Sequence, residues 1–377
     1  MAGDIRVFAR EIAARHRDAH HRITRQQFQA EVESLLARAP GLYDYEIVVA
    51  LHRLAALIGD GHTFLATDNL YRRYPLELFA FGEDLRVVRC DPEYREALGA
   101  RLVAIEKTSI QEARQLLEPL IPQGENRWYI ADATEQLLIA VEPLAALKII
   151  PAVGPANFTF LRDDGRLIQL RIAARPANEW IDASKEIALH RSDVQKPFWF
   201  AYLANARTVY VQFRSYSGLD QHARRLWNFI ENRDVERLIF DLRHNGGGNY
   251  TEGRKHLVYP VQFMRFNRAG RLFVIIGRET FSAAMTNATD FRRETEAILV
   301  GEPTGARPNG FQENGWFTLP NSRLTVSAAT LRYRFANEDE DAVYPDQRID
   351  PVWTDYRAGS DATLEWILAQ PPPDSRK

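Results

Sequence analysis

Apolar residues recur at three- and four-residue spacing through DIRVFAREIAARHRDAH and TRQQFQAEVESLLARAP, and the pattern predicts helices from residue 4 to about 59. Thr24 stands where the second helix needs an N-cap, and Pro40 follows its end. A third segment, YDYEIVVALHRLAALIGDGHT, is strongly apolar on one face and stops at Gly59 and Gly61, which leaves His62 in the turn just past it. From about 74 to 175 the alternation becomes strand-like. YPLELFAFGEDLRVVRC and ANFTFLRDDGRLIQLRIAA alternate around the turns Gly82-Glu83-Asp84 and Asp163-Asp164-Gly165, with LGARLVAIEKTSIQEARQLLEPL between them as a strand followed by a helix. The stretch from PANEW through RSDVQKPFWF reads as a connector, and the tail QPPPDSRK as frayed.

From about 207 the pattern is a repeating β-α. RTVYVQF, VERLIFDLR, RLFVIIGRET and AILVGEPTG read as strands, with LDQHARRLWNFIENR and SAAMTNATDFRR as helices among them. Such alternation implies a mainly parallel sheet with right-handed crossovers, and ligands bind beyond the carboxyl ends of its strands. Two of those ends are DLRHNGGGN and GRETFSAA. The expected organisation is multi-domain α/β: a helical domain over 1–70, a small β-rich domain over 71–180 and a β-α domain over 190–377.

Composition narrows the function more than the fold. The 377 residues are 45% hydrophobic and 26% charged with a formal net charge of −2, so there is no global basic field for nucleic acid or an anionic membrane. Cys90 is the only cysteine, which rules out a disulfide framework and a cysteine zinc site. No apolar run is long enough for a membrane span. MAGDIRVFAR has no signal-peptide core, so the expected compartment is cytoplasmic by default, or outside the cell if a leader has been removed.

The glycine triplet in LIFDLRHNGGGNY admits three readings: a phosphate cradle, a tight turn, or an oxyanion hole. It lacks the GK[ST] of a P-loop and does not fit G-x-G-x-x-G. Bare N–H groups there would stabilise developing negative charge, and a side chain would block the approach. Ser282 opens a helix just past a strand. It reads either as an N-cap or as a nucleophile, whose oxyanion would face the N–H of Ala283 and the glycine loop. A serine nucleophile needs a base. No lysine occurs between Lys255 and Lys377, which leaves histidine. His16, His20, His21, His52 and His222 read as surface residues in polar helical context. His62, in its glycine-flanked turn, is the leading candidate, ahead of His190, His244 and His256. The carboxylates of ANEDEDAVYPDQRIDP read mostly as a solvated turn.

LAALIGDGHTFL, LIFDLRHNGGGN and VIIGRETFSAAMTNA followed by AILVGEPTGARPNG occur in the order seen in the tail-specific protease family, which includes the C-terminal processing proteases and the tricorn core protease. FTLPNSRLTV and VYPDQRIDP resemble its closing segments. This resemblance implies a PDZ-like module followed by a crotonase-like β-α superhelix. It places Ser282 at the nucleophile and Ala283, Gly247 and Gly248 at the oxyanion hole. One branch of the family uses a lysine after GExT, where this chain has Gly305-Ala306-Arg307. The tricorn-like branch uses a histidine that falls on His62, with Gly61 where tricorn has serine. Its acid falls on Asp339, beside Glu338, Glu340 and Asp341. The implied activity is cleavage of peptide or protein substrates through an acyl-enzyme, with no metal or organic cofactor. Rival readings are a binding protein for hydrophobic ligands or peptides on the same fold, and an acyl-CoA enzyme of the crotonase class. Homo-oligomer formation, the cleavage motif and peptide capture by the PDZ-like module are left open by the sequence.

Overall fold

The computed structural model describes residues 1–67, 70–177, 179 and 188–371. Three helices come first: α1 (Ala2–Arg15), α2 (Arg25–Arg38) and α3 (Asp44–Ala56). Thr24 caps α2 as expected, its side chain accepting from the Gln27 N–H while the Gln27 side chain accepts from the Thr24 N–H. The short strand β1 (Phe64–Leu65) is followed by β2 (Leu76–Phe81), β3 (Asp84–Cys90), β4 (Arg101–Ile105) and β5 (Thr108–Ser109). Helices α4 (Ile110–Leu117), α5 (Arg127–Leu137) and α6 (Val141–Ala146) lead to the hairpin β6 (Ala156–Leu161) and β7 (Leu167–Ile172).

The second half runs β8 (Phe198–Leu203), β9 (Thr208–Phe213), α7 (Leu219–Glu231) and β10 (Arg237–Asp241). Next come α8 (Tyr250–Gly253), a π turn over Arg254–Val258, α9 (Tyr259–Gln262), β11 (Leu272–Ile276), α10 (Ser282–Glu294) and β12 (Ile298–Gly301). The chain closes with the long pair β13 (Asn309–Thr318) and β14 (Thr325–Arg334), then β15 (Gln347–Arg348), α11 (Trp353–Ala358) and α12 (Ala362–Ala369). Among the described residues no helix is long and apolar enough to cross a membrane. Residues 372–377 of the tail expected to fray, and part of the expected connector, lie outside the described residues.

The chain divides into two compact units. The first comprises the described residues of Met1–Glu125, Ile130–Lys185 and Gly310–Tyr333, the second those of Asn126–Tyr129, Glu186–Asn309 and Arg334–Lys377. The helical and β-rich parts expected as separate domains share the first unit, because α3 packs on α6. Residues 310–333, expected in the β-α domain, belong to the first unit too. The reason is register: β14 pairs with β1 antiparallel, Phe64 opposite Ser327 and Leu65 opposite Val326. Within this unit β2, β3, β4, β6 and β7 form an antiparallel sheet, with β5 on the side of β4.

The second unit is α/β, with sheet order β15-β12-β11-β10-β9-β8. All neighbours are parallel except β8, which runs antiparallel to β9. The start of β8 falls in the stretch expected from the sequence to be connector. Phe198–Leu203 instead completes the sheet edge, and Phe198 is buried against Phe213. β9, β10 and β11 are buried at every position, as strands covered on both faces must be. One face carries Val209, Val211, Leu238, Phe240, Val274 and Ile276 against α7 and α10. The other carries Tyr210, Ile239, Phe273 and Ile275 against α12. This packing fixes where β10 and β11 end, and the two loops of interest grow from those ends.

Candidate active site

The DLR at the end of β10 is structural. Asp241 is fully buried, accepts the Tyr210 hydroxyl at 2.6 Å and pairs with Arg243 at 2.6 Å. Burial would push its carboxyl up, but Arg243 and Tyr210 outweigh that and hold it below the usual range. Arg243 also bridges to Asp361, whose side chain caps α12 through the Leu364 N–H. The strand end is therefore pinned to the last helix.

The next residues shape the glycine loop. Asn245 is buried, its amide donating to the Phe213 carbonyl at 3.0 Å and its Oδ1 accepting the Gly247 N–H at 3.0 Å. The Asn245 carbonyl accepts the Phe281 N–H at 3.1 Å, and the Leu242 carbonyl accepts the Thr280 hydroxyl at 2.8 Å. These bonds latch the glycine loop to the loop that precedes Ser282. Asn245 was missed in the sequence, where only its place between His244 and the glycines marked it.

Gly247 has φ +113° and Gly248 φ +152°, conformations that L side chains rarely adopt. A Cβ on Gly247 would lie 2.8 Å from Ser282 Cβ and 3.2 Å from the Ala283 nitrogen. A Cβ on Gly248 would sit 2.6 Å from the Tyr216 ring, which is held by a 2.6 Å hydrogen bond from its hydroxyl to Asn287 Oδ1. The glycines are bare because the nucleophile candidate and an aromatic floor are already there. Among the described residues the N–H groups of Gly248 and Ala283 have no protein acceptor. The Gly247 N–H is taken by Asn245, so of the three expected donors it is the one already engaged.

Ser282 is the first residue of α10 and has φ +49°. A serine in the left-handed region is uncommon, and such strain concentrates where a fold holds a functional group in a fixed pose. The chain has no G-x-S-x-G; a hydrogen-bonded turn over Gly277–Thr280 leads from β11 to the serine that opens α10. Ser282 does not cap the helix: the residue in that place is Phe281, with no side-chain cap.

His244, one of the three other candidate bases, has both ring nitrogens engaged, Nδ1 with Glu279 at 3.1 Å and Nε2 with His190 Nδ1 at 3.1 Å. It adds a further tie between the two loops. His190 is held well below the usual histidine range by burial and by Arg243. His256 pairs with Glu252 at 3.1 Å.

In the first unit, His62 sits in the turn after α3 and is 6% exposed. Its backbone N–H donates to Asp60 Oδ1 at 3.1 Å, and its carbonyl accepts the Ser327 hydroxyl at 2.8 Å. The Gly61 N–H donates to Glu125 Oε1 at 2.8 Å. Burial lowers the imidazole to about 4, against smaller raising effects of the Asp60 charge and of the Phe311 backbone carbonyl, which accepts a hydrogen bond from the ring. That is well below the roughly 6.5 of an unperturbed histidine. His16, read in the sequence as a surface residue, is 6% exposed, because it closes α1 and turns inward onto Asp60. His52 is likewise lowered to about 4 by burial and meets the Tyr71 hydroxyl at 3.3 Å. Asp339 is exposed in the irregular stretch before β15.

No family model matches the chain. No curated protein matches it. Solved structures do. Mature CPAF complexed with lactacystin is similar over 97% of this chain and 96% of its own, with a TM-score of 0.66 at 12% identity. The chain has the CPAF fold. The photosystem II D1 C-terminal processing protease is similar over 92% of each chain, at 15% identity and a TM-score of 0.47. The tricorn protease is similar over 90% of this chain and 34% of its own, at 13% identity and a TM-score of 0.40. This likeness agrees with the multi-domain α/β class read from the sequence.

Proposed function

We propose that this protein is a serine peptidase of the tail-specific protease family, cleaving peptide bonds through an acyl-enzyme on Ser282. The observation that carries this reading is the left-handed Ser282 at the start of α10, packed against a Gly247–Gly248 backbone that tolerates no Cβ. In the proposed mechanism Ser282 Oγ attacks the scissile carbonyl. The carbonyl oxygen becomes negative and is received by the N–H groups of Gly248 and Ala283, while Gly247 clears the approach. His62 takes the serine proton and returns it to the leaving amine, after which water is activated in the same way and the acyl-enzyme is hydrolysed. A base held near 4 stays neutral and competent across the physiological range. Asp339 is carried as the acid that the family resemblance suggests, and the PDZ-like module as the part that presents a peptide. No cofactor enters the scheme.

The test is hydrolysis of fluorescently labelled casein by the full chain and by Ser282→Ala. The reading expects release of labelled peptides by the wild type and none above background by the variant. Equal release by both, with folding intact by circular dichroism, would overturn it.

A further inference from the structure

His16, His21 and Asp60 bring ring nitrogens and a carboxylate oxygen within 4.8 Å of one another, the spacing of a metal site. The hydrogen bonds argue otherwise. The Asp18 N–H donates to His16 Nδ1 at 2.9 Å, so Nδ1 is the unprotonated nitrogen and Nε2 carries the hydrogen. That Nε2–H points at Asp60 Oδ2, 2.9 Å away, with both side chains essentially shut off from solvent. A metal ligand would need Nε2 bare and its other nitrogen donating, the reverse of this arrangement. The cluster is therefore a hydrogen-bonded assembly, and what it holds is the turn that carries His62.

Two arms reach His62 from it. Through the first, His16 fixes Asp60 and the other oxygen of Asp60 accepts the His62 backbone N–H at 3.1 Å. Through the second, the Phe311 ring lies 5.1 Å from the His16 ring and 4.3 Å from the His21 ring, and the Phe311 carbonyl accepts from the His62 imidazole. His21 is itself tied down, its Nδ1 donating to the Asp18 carbonyl at 2.9 Å. The charged and titratable groups around this cluster are His16, Asp18, His21, Arg22 against Gly59, Glu125 on Gly61, and Arg332 over Phe311.

We infer that His16 and Asp60 are positioning residues for His62: together they hold the turn and the Phe311 carbonyl in the geometry that fixes the tautomer and aim of the imidazole, the part a carboxylate plays in a Ser-His-Asp triad. The inference rests on reading His62 as the base of Ser282. A positioning carboxylate one step removed from the ring needs support of its own, and the buried His16 Nε2–H supplies it from 44 residues away. The same charge favours the protonated form that His62 takes on in the transition state, so loss of the Asp60 charge has an electrostatic signature as well as a geometric one.

The test uses the full chain and the rate of modification of Ser282 by a fluorophosphonate across the pH range, which reads base activation without a known peptide substrate. Asp60→Asn and His16→Ala are expected to react about a hundredfold more slowly, the loss typical of a misplaced catalytic group. His16→Gln, whose amide nitrogen reaches where Nε2 was, keeps most of the rate. In Asp60→Asn the acid limb of the profile moves to lower pH. Wild-type rates and an unmoved limb in both Asp60→Asn and His16→Ala would overturn the inference. So would a limb that moves up toward the free-histidine value in both, since the pair would then serve only to keep His62 dry. If Asp60→Asn fails to fold, the contrast between His16→Gln and His16→Ala decides, and equal rates there overturn the inference. Labelling that survives Ser282→Ala would overturn the peptidase reading together with the frame. Labelling lost in Ser282→Ala, with wild-type behaviour in the other variants, overturns the frame alone.

Discussion

The loop that carries Ser282 and the turn that carries His62 solve the same problem, holding one side chain still, by opposite means. Around Ser282 the backbone does the work: a left-handed serine, two glycines at positive φ, and two N–H groups with no protein acceptor among the described residues. Around His62 a polar network does it: Asp60, held by His16, accepts the His62 backbone N–H, the Ser327 hydroxyl donates to its carbonyl, and the Phe311 backbone carbonyl accepts from its buried ring. Backbone strain suits a group that meets the substrate, because it leaves the approach open. A buried polar network suits a group whose proton affinity must be tuned, because burial and charge set that affinity.

The contrast predicts how each region breaks. Replacing Ser282 with alanine should lower turnover by several orders of magnitude, about as much as losing the whole constellation costs. Its melting temperature should change little, because alanine keeps the Cβ and with it the φ +49° backbone, and a melting profile beside the kinetic assay checks both. Replacing His62 with alanine should cost nearly as much turnover, with no rescue by His62→Lys. A His62→Ala enzyme with near-normal turnover would break the comparison at its base.

Glycine substitutions should sharpen the distinction. Gly247→Ala places a Cβ 2.8 Å from Ser282 Cβ in a conformation that costs of order 1–3 kcal/mol, so activity and stability should fall together. Asn245→Ala should loosen the same loop without filling it. It frees the Gly247 N–H, and the expected result is a smaller loss of stability with a clear loss of turnover. Chemical denaturation of both variants, set against their rates, checks the order.

The His62 region should instead show itself in pH. Buried His62 and half-buried His52 take up protons in the folded state only near 4, whereas the unfolded chain binds them near 6.5. Between those values the unfolded state holds more protons, so stability falls as pH drops from about 6.5 toward 4, by at most about 1.4 kcal/mol per unit for each group. Urea midpoints across that range should fall in the wild type, and less steeply in His52→Phe. The catalytic acid limb should lie near 4 as well. The smallest expected effect is that of Asp339→Asn. Asp339 is exposed and the Phe311 carbonyl already holds the His62 ring, so the rate should drop less than about tenfold.

These differences also explain what could be read from the sequence. The strands and helices of the β-α half announce themselves by period, and the glycines mark the loop because an ordered triplet is costly. The strain at Ser282 leaves no trace in composition, since any residue type can be written at that position. His16 was misread because its helix is amphipathic and polar at that end, and nothing local says that it turns inward onto Asp60. The pairing of β14 with β1, which carries 310–333 into the first unit, is non-local in the same way. Local patterns gave the elements and the reactive loops. Contacts between distant segments gave the support of His62.

The most direct test of the central claim is labelling of the folded chain with a fluorophosphonate, followed by mass spectrometry of the modified peptide. The account predicts a single adduct on Ser282 in the wild type, none in Ser282→Ala, and strongly slowed labelling in His62→Ala. No adduct on Ser282 in the wild type, or an adduct that persists in Ser282→Ala, would contradict it.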